Sequence, residues 1–287
     1  MATTICDAFH QFRSNLEITS LQENTTSTRQ QNVREAVEAG FVVHESFLAG
    51  SYRRHTMIAP LSAADIDVFV VLDPKYYAPS GQGALLSSLM ATLKTRYPKT
   101  PKIKPAGQAV TITFTDFEVD VVPGFRRKGG GFLIPDASMN RWIATDPKEH
   151  VQMWSFLNKG HNGIMVPLIK MMKCWNRLQG YPLRSFHLEV MVMHVLQGVV
   201  ITDYPSGVRW VFDKMRAAIW AKVADPAGYG DDIAPWLSPA DRERLSRRLD
   251  EAYNIAVQAE SNAQYGYLKT SMECWRRLFG EFFPAYG

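Results

Sequence analysis

Apolar residues recur along this chain at two spacings in its first half and at essentially one in its second. Alternation with a period of two marks strands, and recurrence at three and four residues marks helices. Phe9, Phe12, Leu16 and Ile18 stand at roughly helical spacing. Ser20-Leu-Gln-Glu23 fits a capping box, so a helix is predicted from there through Ala39, closed by Gly40. Residues 41–49 read as a first strand ending in a Gly-Ser turn. Residues 65–72 read as a second strand, stopped by Asp73-Pro74. Residues 84–97 are amphipathic, with Leu85, Leu86, Leu89, Met90 and Leu93 inward. Residues 99–105 read as an extended basic linker, and 110–114 and 117–122 as adjacent strands about Thr115-Asp116. Then come a basic glycine loop at 126–131, a short strand at 132–135 and a turn at 141–147. Beyond His150 the strand pattern fades, and helices are predicted near 148–158, 163–179, 185–200, 208–224, 238–260 and 265–279. The fold class is therefore α+β. A mixed-sheet half occupies residues 1–150, and a helical half occupies 151–287.

Composition narrows this only a little. A chain of 287 residues with 46% hydrophobic content can bury a sizeable core. The net charge of +4 suits a polyanionic ligand such as a nucleoside triphosphate, but is too small to argue for nucleic acid by itself. The three cysteines, Cys6, Cys174 and Cys274, show no metal-ligand spacing, which speaks against a zinc site and for a reducing compartment. No basic-then-apolar leader is visible. The longest apolar run, 190–201, is broken by His194, Gln197 and Gly198, so no membrane span and a cytoplasmic location are expected.

The chemistry gathers on two strands. Side chains alternate along a strand, so Asp65 and Asp67 share one face while Ile66, Val68 and Val70 take the other. Adjacent carboxylates repel unless a cation lies between them, and a hard divalent ion with oxygen ligands fits. Asp120, set among apolar neighbours on a later strand, supplies a third carboxylate and completes a two-metal site. Glu118 shares its face by spacing and reads as a supporting or surface residue. Gly50 lets backbone approach a phosphate, and Ser51 adds a hydroxyl, in a turn about fifteen residues before Asp65.

Gly-Ser, then Asp-x-Asp on a strand, then a lone Asp on a later strand resembles the nucleotidyltransferase superfamily of DNA polymerase β. More closely it looks like the CD-NTases, the bacterial cyclic-oligonucleotide synthases of anti-phage signalling related to oligoadenylate synthetase and cyclic GMP–AMP synthase. The resemblance implies a polymerase-β-like core, a helical second lobe and an active site in the cleft between them. It implies two Mg²⁺ ions, replaceable by Mn²⁺, on Asp65, Asp67 and Asp120, with phosphates on Gly50 and Ser51. Val166–Asn176 looks like the family's helix carrying Lys, one residue, then Trp, which makes Lys173, and with it Lys170, triphosphate contacts. Ser185-Phe-His-Leu-Glu189 resembles the next family helix. There Ser185 is expected to cap the helix and reach phosphate, while Glu189 pairs with a lysine.

Asn15–Ser20, Arg29–Arg34 and Ile58–Leu61 resemble members that travel with HORMA-type and TRIP13-like regulators. The zinc insertion of cyclic GMP–AMP synthase has no counterpart here, so its mode of DNA sensing does not carry over, and DNA stays only a candidate activator. The implied product is a cyclic di- or trinucleotide made from ATP, alone or with GTP or another triphosphate. Two rivals stay open. One is transfer to another acceptor, such as an RNA end, a protein or a small molecule. The other is a non-catalytic nucleotide-binding scaffold, which would be expected to lose one of the three aspartates.

Overall fold

The computed structural model describes residues 2–230 and 232–287, the side chains of residues 20–23 excepted. The Ser20–Glu23 capping box therefore lies outside the described residues, although the helix it was expected to start is present. In chain order the main elements are α1 (Ile5–Asn15), α2 (Ser20–Glu38), β1 (Val43–Leu48), α3 (Gly50–Arg53), β2 (Asp65–Leu72), α4 (Gln82–Arg96), β3 (Lys102–Ala106), β4 (Ala109–Thr113), β5 (Glu118–Arg126), β6 (Phe132–Asp136) and β7 (Arg141–Thr145). The helices α5 (Pro147–Gly160), α6 (Met165–Leu178), α7 (Ser185–Val195), α8 (Tyr204–Ala218), α9 (Pro239–Gln264) and α10 (Leu268–Phe279) follow.

Contacts divide the chain into two compact units. One is Ile18–Gln152, and the other joins the residues up to Glu17 to Met153–Gly287. The first unit is built on a mixed sheet in the order β1-β2-β5-β4-β3, with β6 pairing the end of β5 and β7 pairing β6. Its central pair, β2 and β5, is parallel, and its other pairs are antiparallel. The alternation of β2 explains its place. Ile66, Val68, Val70 and Leu72 are fully buried and join one cluster with Val33 and Val37 of α2 and Leu85, Leu86, Leu89 and Leu93 of α4. The opposite face changes character along its length. Its far end carries Phe69 and Val71, packed with Ala49, Phe132 and Ile134 under β6, and its near end carries Asp65 and Asp67.

Two stretches of the sheet unit depart from the sequence reading. The basic linker is in part a strand, since residues 102–106 form β3, antiparallel to β4 from Lys102↔Thr113 to Ala106↔Ala109. As an edge strand it tolerates Pro105 and outward lysines, and only Ile103 is buried. Residues 141–145, read as a turn, form β7.

The helical unit also claims α1. Ala8, Phe9, Phe12 and Leu16 are fully buried, and Phe9 meets Trp275 and Phe283 edge-on at 5.0 and 5.1 Å. Phe12 lies 4.6 Å from Phe279. This apolar stripe is why the first helix groups with the last one rather than with the sheet that follows it in sequence.

Candidate active site

The parallel pairing of β2 with β5 sets Asp65 beside Glu118 and Asp67 beside Asp120. Paired residues of adjacent strands face the same side, so four carboxylates project from one face of the sheet. One carboxylate oxygen each from Asp65, Asp67 and Asp120 lies within 4.8 Å of the others. Asp65 is exposed, and Asp67 and Asp120 are half-buried. Burial raises the Asp120 pKa above the usual carboxylate range, and the charges of Asp65 and Glu118 push the same way, while a hydrogen bond from Thr111 pulls it down. The donor set is entirely carboxylate oxygen. That set suits a hard divalent cation and not a thiolate- or imidazole-loving one. The acidic trio can hold such an ion.

The Gly-Ser turn is seated directly on this cluster. β1 ends at Leu48, the Ala49 amide donates to the Asp67 carbonyl at 2.9 Å, and α3 begins at Gly50. Gly50 has a φ of 59°, and a Cβ built there would stand 1.6 Å from Oδ2 of Asp67. No other residue fits while Asp67 holds this position. Ser51 follows in the first turn of α3, where backbone amides are free of helical partners. Of the basic residues after it, Arg54 is buried and Arg53 and His55 are exposed.

Two features of the sheet face were not anticipated from the sequence. The Thr111 hydroxyl donates to Oδ1 of Asp120 at 2.5 Å, and the Thr113 hydroxyl donates to Oε1 of Glu118 at 2.8 Å. A cavity of about 560 Å³ opens beside Asp65 and Asp120, lined also by Ser62, Lys104, Thr113 and Glu118. The alternation Thr111-Ile112-Thr113 signals that both threonines share a face, but their carboxylate partners depend on strand register.

The helical unit holds the remaining expected residues. Lys170 is buried on α6 and pairs with Glu17 at 2.5 Å. Lys173, one turn on, is buried and pairs at 2.6 Å with Glu189 of α7, whose side chain is fully buried. The pairing expected of Glu189 is thus present. Ser185 differs from expectation. It is the first helical residue of α7, not its cap, because the extended residue before the helix is Arg184, with φ −65° and ψ 142°. Ser185 is exposed there.

Residues 3–158 match the family model described as "Second Messenger Oligonucleotide or Dinucleotide Synthetase domain". The chain is 23% identical over 290 residues to the cyclic AMP-AMP-AMP synthase of an Acinetobacter species, covering 94% of this chain and 83% of that protein. Its fold resembles that of Escherichia coli MS115-1 CdnC solved with ATP, with a TM-score of 0.80, 16% identity, and coverage of 98% of this chain and 99% of that one. The same CdnC in complex with HORMA-deltaN gives a TM-score of 0.77 at 17% identity, over 98% of each chain.

Proposed function

Because this chain belongs to the Second Messenger Oligonucleotide or Dinucleotide Synthetase family, it is a nucleotidyltransferase of the cyclic-oligonucleotide-synthase type, and we propose that Asp65, Asp67 and Asp120 form the centre at which it makes a cyclic di- or trinucleotide from ATP, alone or with GTP or another nucleoside triphosphate. The observation that carries this is the convergence of the three carboxylates within 4.8 Å, directly under the Gly50–Ser51 turn. The trio would hold Mg²⁺, in two ions, with Mn²⁺ as a substitute. Bound there, the metal supplies positive charge that lowers the pKa of an attacking hydroxyl and offsets charge developing on the phosphates.

The chain's own residues supply position. Gly50 lets the turn close over Asp67, so that Ser51 and its amide face a phosphate. Asp120 orients the 3′- or 2′-hydroxyl of the acceptor nucleotide. That oxygen bonds to the α-phosphorus of the donor as the bond to pyrophosphate breaks, and the hydroxyl proton leaves by way of the carboxylates. Lys173, held by Glu189, and Ser185 contact the triphosphate, and Lys170 supports them. Repetition of the step and ring closure release the product. Catalysis on this reading is positioning and charge neutralisation.

The biological setting proposed is anti-phage signalling in the cytoplasm. A HORMA-type protein is the proposed regulator, in keeping with the CdnC complex, and a TRIP13-like remodeller and DNA are further candidates. The test is incubation of the purified protein with ATP, GTP, CTP and UTP plus Mg²⁺, followed by phosphatase treatment and mass spectrometry. A phosphatase-resistant species that Asp67→Asn fails to make is the expected result. Linear oligomers alone, or the same product from Asp67→Asn, would overturn the reading.

A further inference from the structure

The sheet face beside the metal-binding trio is laid out in rungs. Reading across β2, β5, β4 and β3, one rung is Asp67, Asp120, Thr111 and Lys104, and the next is Asp65, Glu118, Thr113 and Lys102. In each rung a β4 threonine donates its hydroxyl to the β5 carboxylate beside it, Thr111 to Asp120 at 2.5 Å and Thr113 to Glu118 at 2.8 Å. The two threonines differ in burial. Thr111 is only 4% exposed and Thr113 is half-buried, though both line the open cavity.

A carboxylate on a strand has several χ1 wells and a broad, roughly two-fold χ2. Asp120 borders a cavity of about 560 Å³, where mobile water would compete for its oxygens. A buried, β-branched hydroxyl with a restricted χ1 removes that freedom, because it reaches Oδ1 from a fixed point. With Oδ1 so engaged, Oδ2 is the oxygen that remains to serve the shared site. We propose that Thr111 is a positioning residue that holds Asp120 as a one-oxygen ligand, with Oδ1 engaged by the threonine and Oδ2 directed at the ion held with Asp65 and Asp67.

The inference rests on the metal assignment made above, and it adds a residue from outside that assignment. Thr111 is not itself a catalytic residue. It acts through Asp120, as a partner of a metal ligand commonly does, and loss of such partners lowers metal affinity or activity by about 10- to 100-fold.

The experiment uses the full chain with Thr111→Val, Thr111→Ser and Asp120→Asn. Valine keeps the branched shape and removes the hydroxyl, and serine keeps the hydroxyl. Should valine fail to fold, Thr111→Ala removes the same hydroxyl without adding a methyl group. Two readouts are taken: Mn²⁺ affinity in the absence of nucleotide, by electron paramagnetic resonance, and kcat and KM for ATP with Mg²⁺. For valine, Mn²⁺ affinity and kcat are expected to fall about tenfold or more, with KM changed less than about twofold. Serine is expected to stay near the parent on both counts. A valine variant that melts lower but binds Mn²⁺ like the parent makes Thr111 a packing residue and overturns the proposal. Serine as impaired as valine also overturns it, because the methyl group would then be responsible. If Asp120→Asn itself leaves Mn²⁺ binding intact, the metal assignment fails first and the Thr111 role falls with it.

Discussion

Asp67 is the residue through which the site is most constrained. It faces Gly50 on one side and Asp120 on the other. Asp65→Asn and Asp67→Asn are expected to lower turnover by more than roughly a hundredfold while leaving the circular dichroism spectrum unchanged. Gly50→Ala should do the same for a steric reason, since its Cβ would occupy the space of Oδ2 of Asp67. Forcing alanine to the φ of 59° adds a stability loss of about 1 kcal/mol, readable by urea denaturation. Full activity in Gly50→Ala would mean that Asp67 works from another position. These residues were legible in the sequence because a strand's period of two places Asp65 and Asp67 together, and because apolar neighbours make an isolated Asp120 conspicuous. Thr111 was not legible, since its partner is set by the pairing of two strands. Ser185 was misassigned by one position, because a serine suits both the cap and the first helical turn.

At the scale of elements, strong periodicity read correctly and weak periodicity did not. β2 matched to the residue because its buried face is unbroken. β3 was hidden by Lys102, Lys104 and Pro105, which an edge strand accepts and a central strand would not. β7 has no clean alternation of buried and exposed residues, so its pattern resembles a turn. The start of α8 was placed late. Asp203, which caps it by accepting from the Ser206 amide, and Pro205 in its first turn were the available signals. The longest helix, α9, is started by a reciprocal box in which Ser238 and Asp241 bond each other's backbone amides. Ser238→Ala is expected to lower unfolding stability by about 1 kcal/mol with no change in kcat, a result that chemical denaturation and a turnover assay can check together.

At the scale of the molecule, two groups tie stability to solution conditions in opposite senses. His187 is buried on α7, 6.0 Å from the Trp236 ring, and neither ring nitrogen has a hydrogen-bond partner among the described residues. Burial lowers its pKa to about 4, with Arg242 adding to the effect and Asp232 opposing it. The unfolded chain therefore binds the proton first. The stabilising contribution is complete above pH ~6.5 and declines as the pH falls toward 4, by at most about 3 kcal/mol. His187→Phe should flatten this slope in urea titrations at pH 7, 5.5 and 4.5, and an unchanged slope would remove His187 as its cause.

Asp120 runs the other way. Its pKa is raised by burial and by neighbouring carboxylates, so its contribution is present at low pH and lost as the pH rises through its folded pKa. A bound cation should restore what is lost. Millimolar Mg²⁺ or Mn²⁺ at pH 8 is expected to raise Tm by ~2 °C, and Asp67→Asn should abolish the response. No described helix is long and apolar enough to cross a membrane.

The helical unit contains both the earliest and the latest stretches of the chain, whereas the sheet unit is one continuous run from Ile18 to Gln152. During synthesis the two therefore become complete at different times. At roughly 5–20 residues per second, Phe9 leaves the ribosome well over ten seconds before Trp275 and Phe283, rings against which it packs edge-on. The sheet can close in that interval, while the apolar stripe of α1 still lacks the aromatic rings that complete its cover. A nascent chain stalled before Leu268 should thus carry a protease-resistant sheet and a first helix that chaperones still recognise.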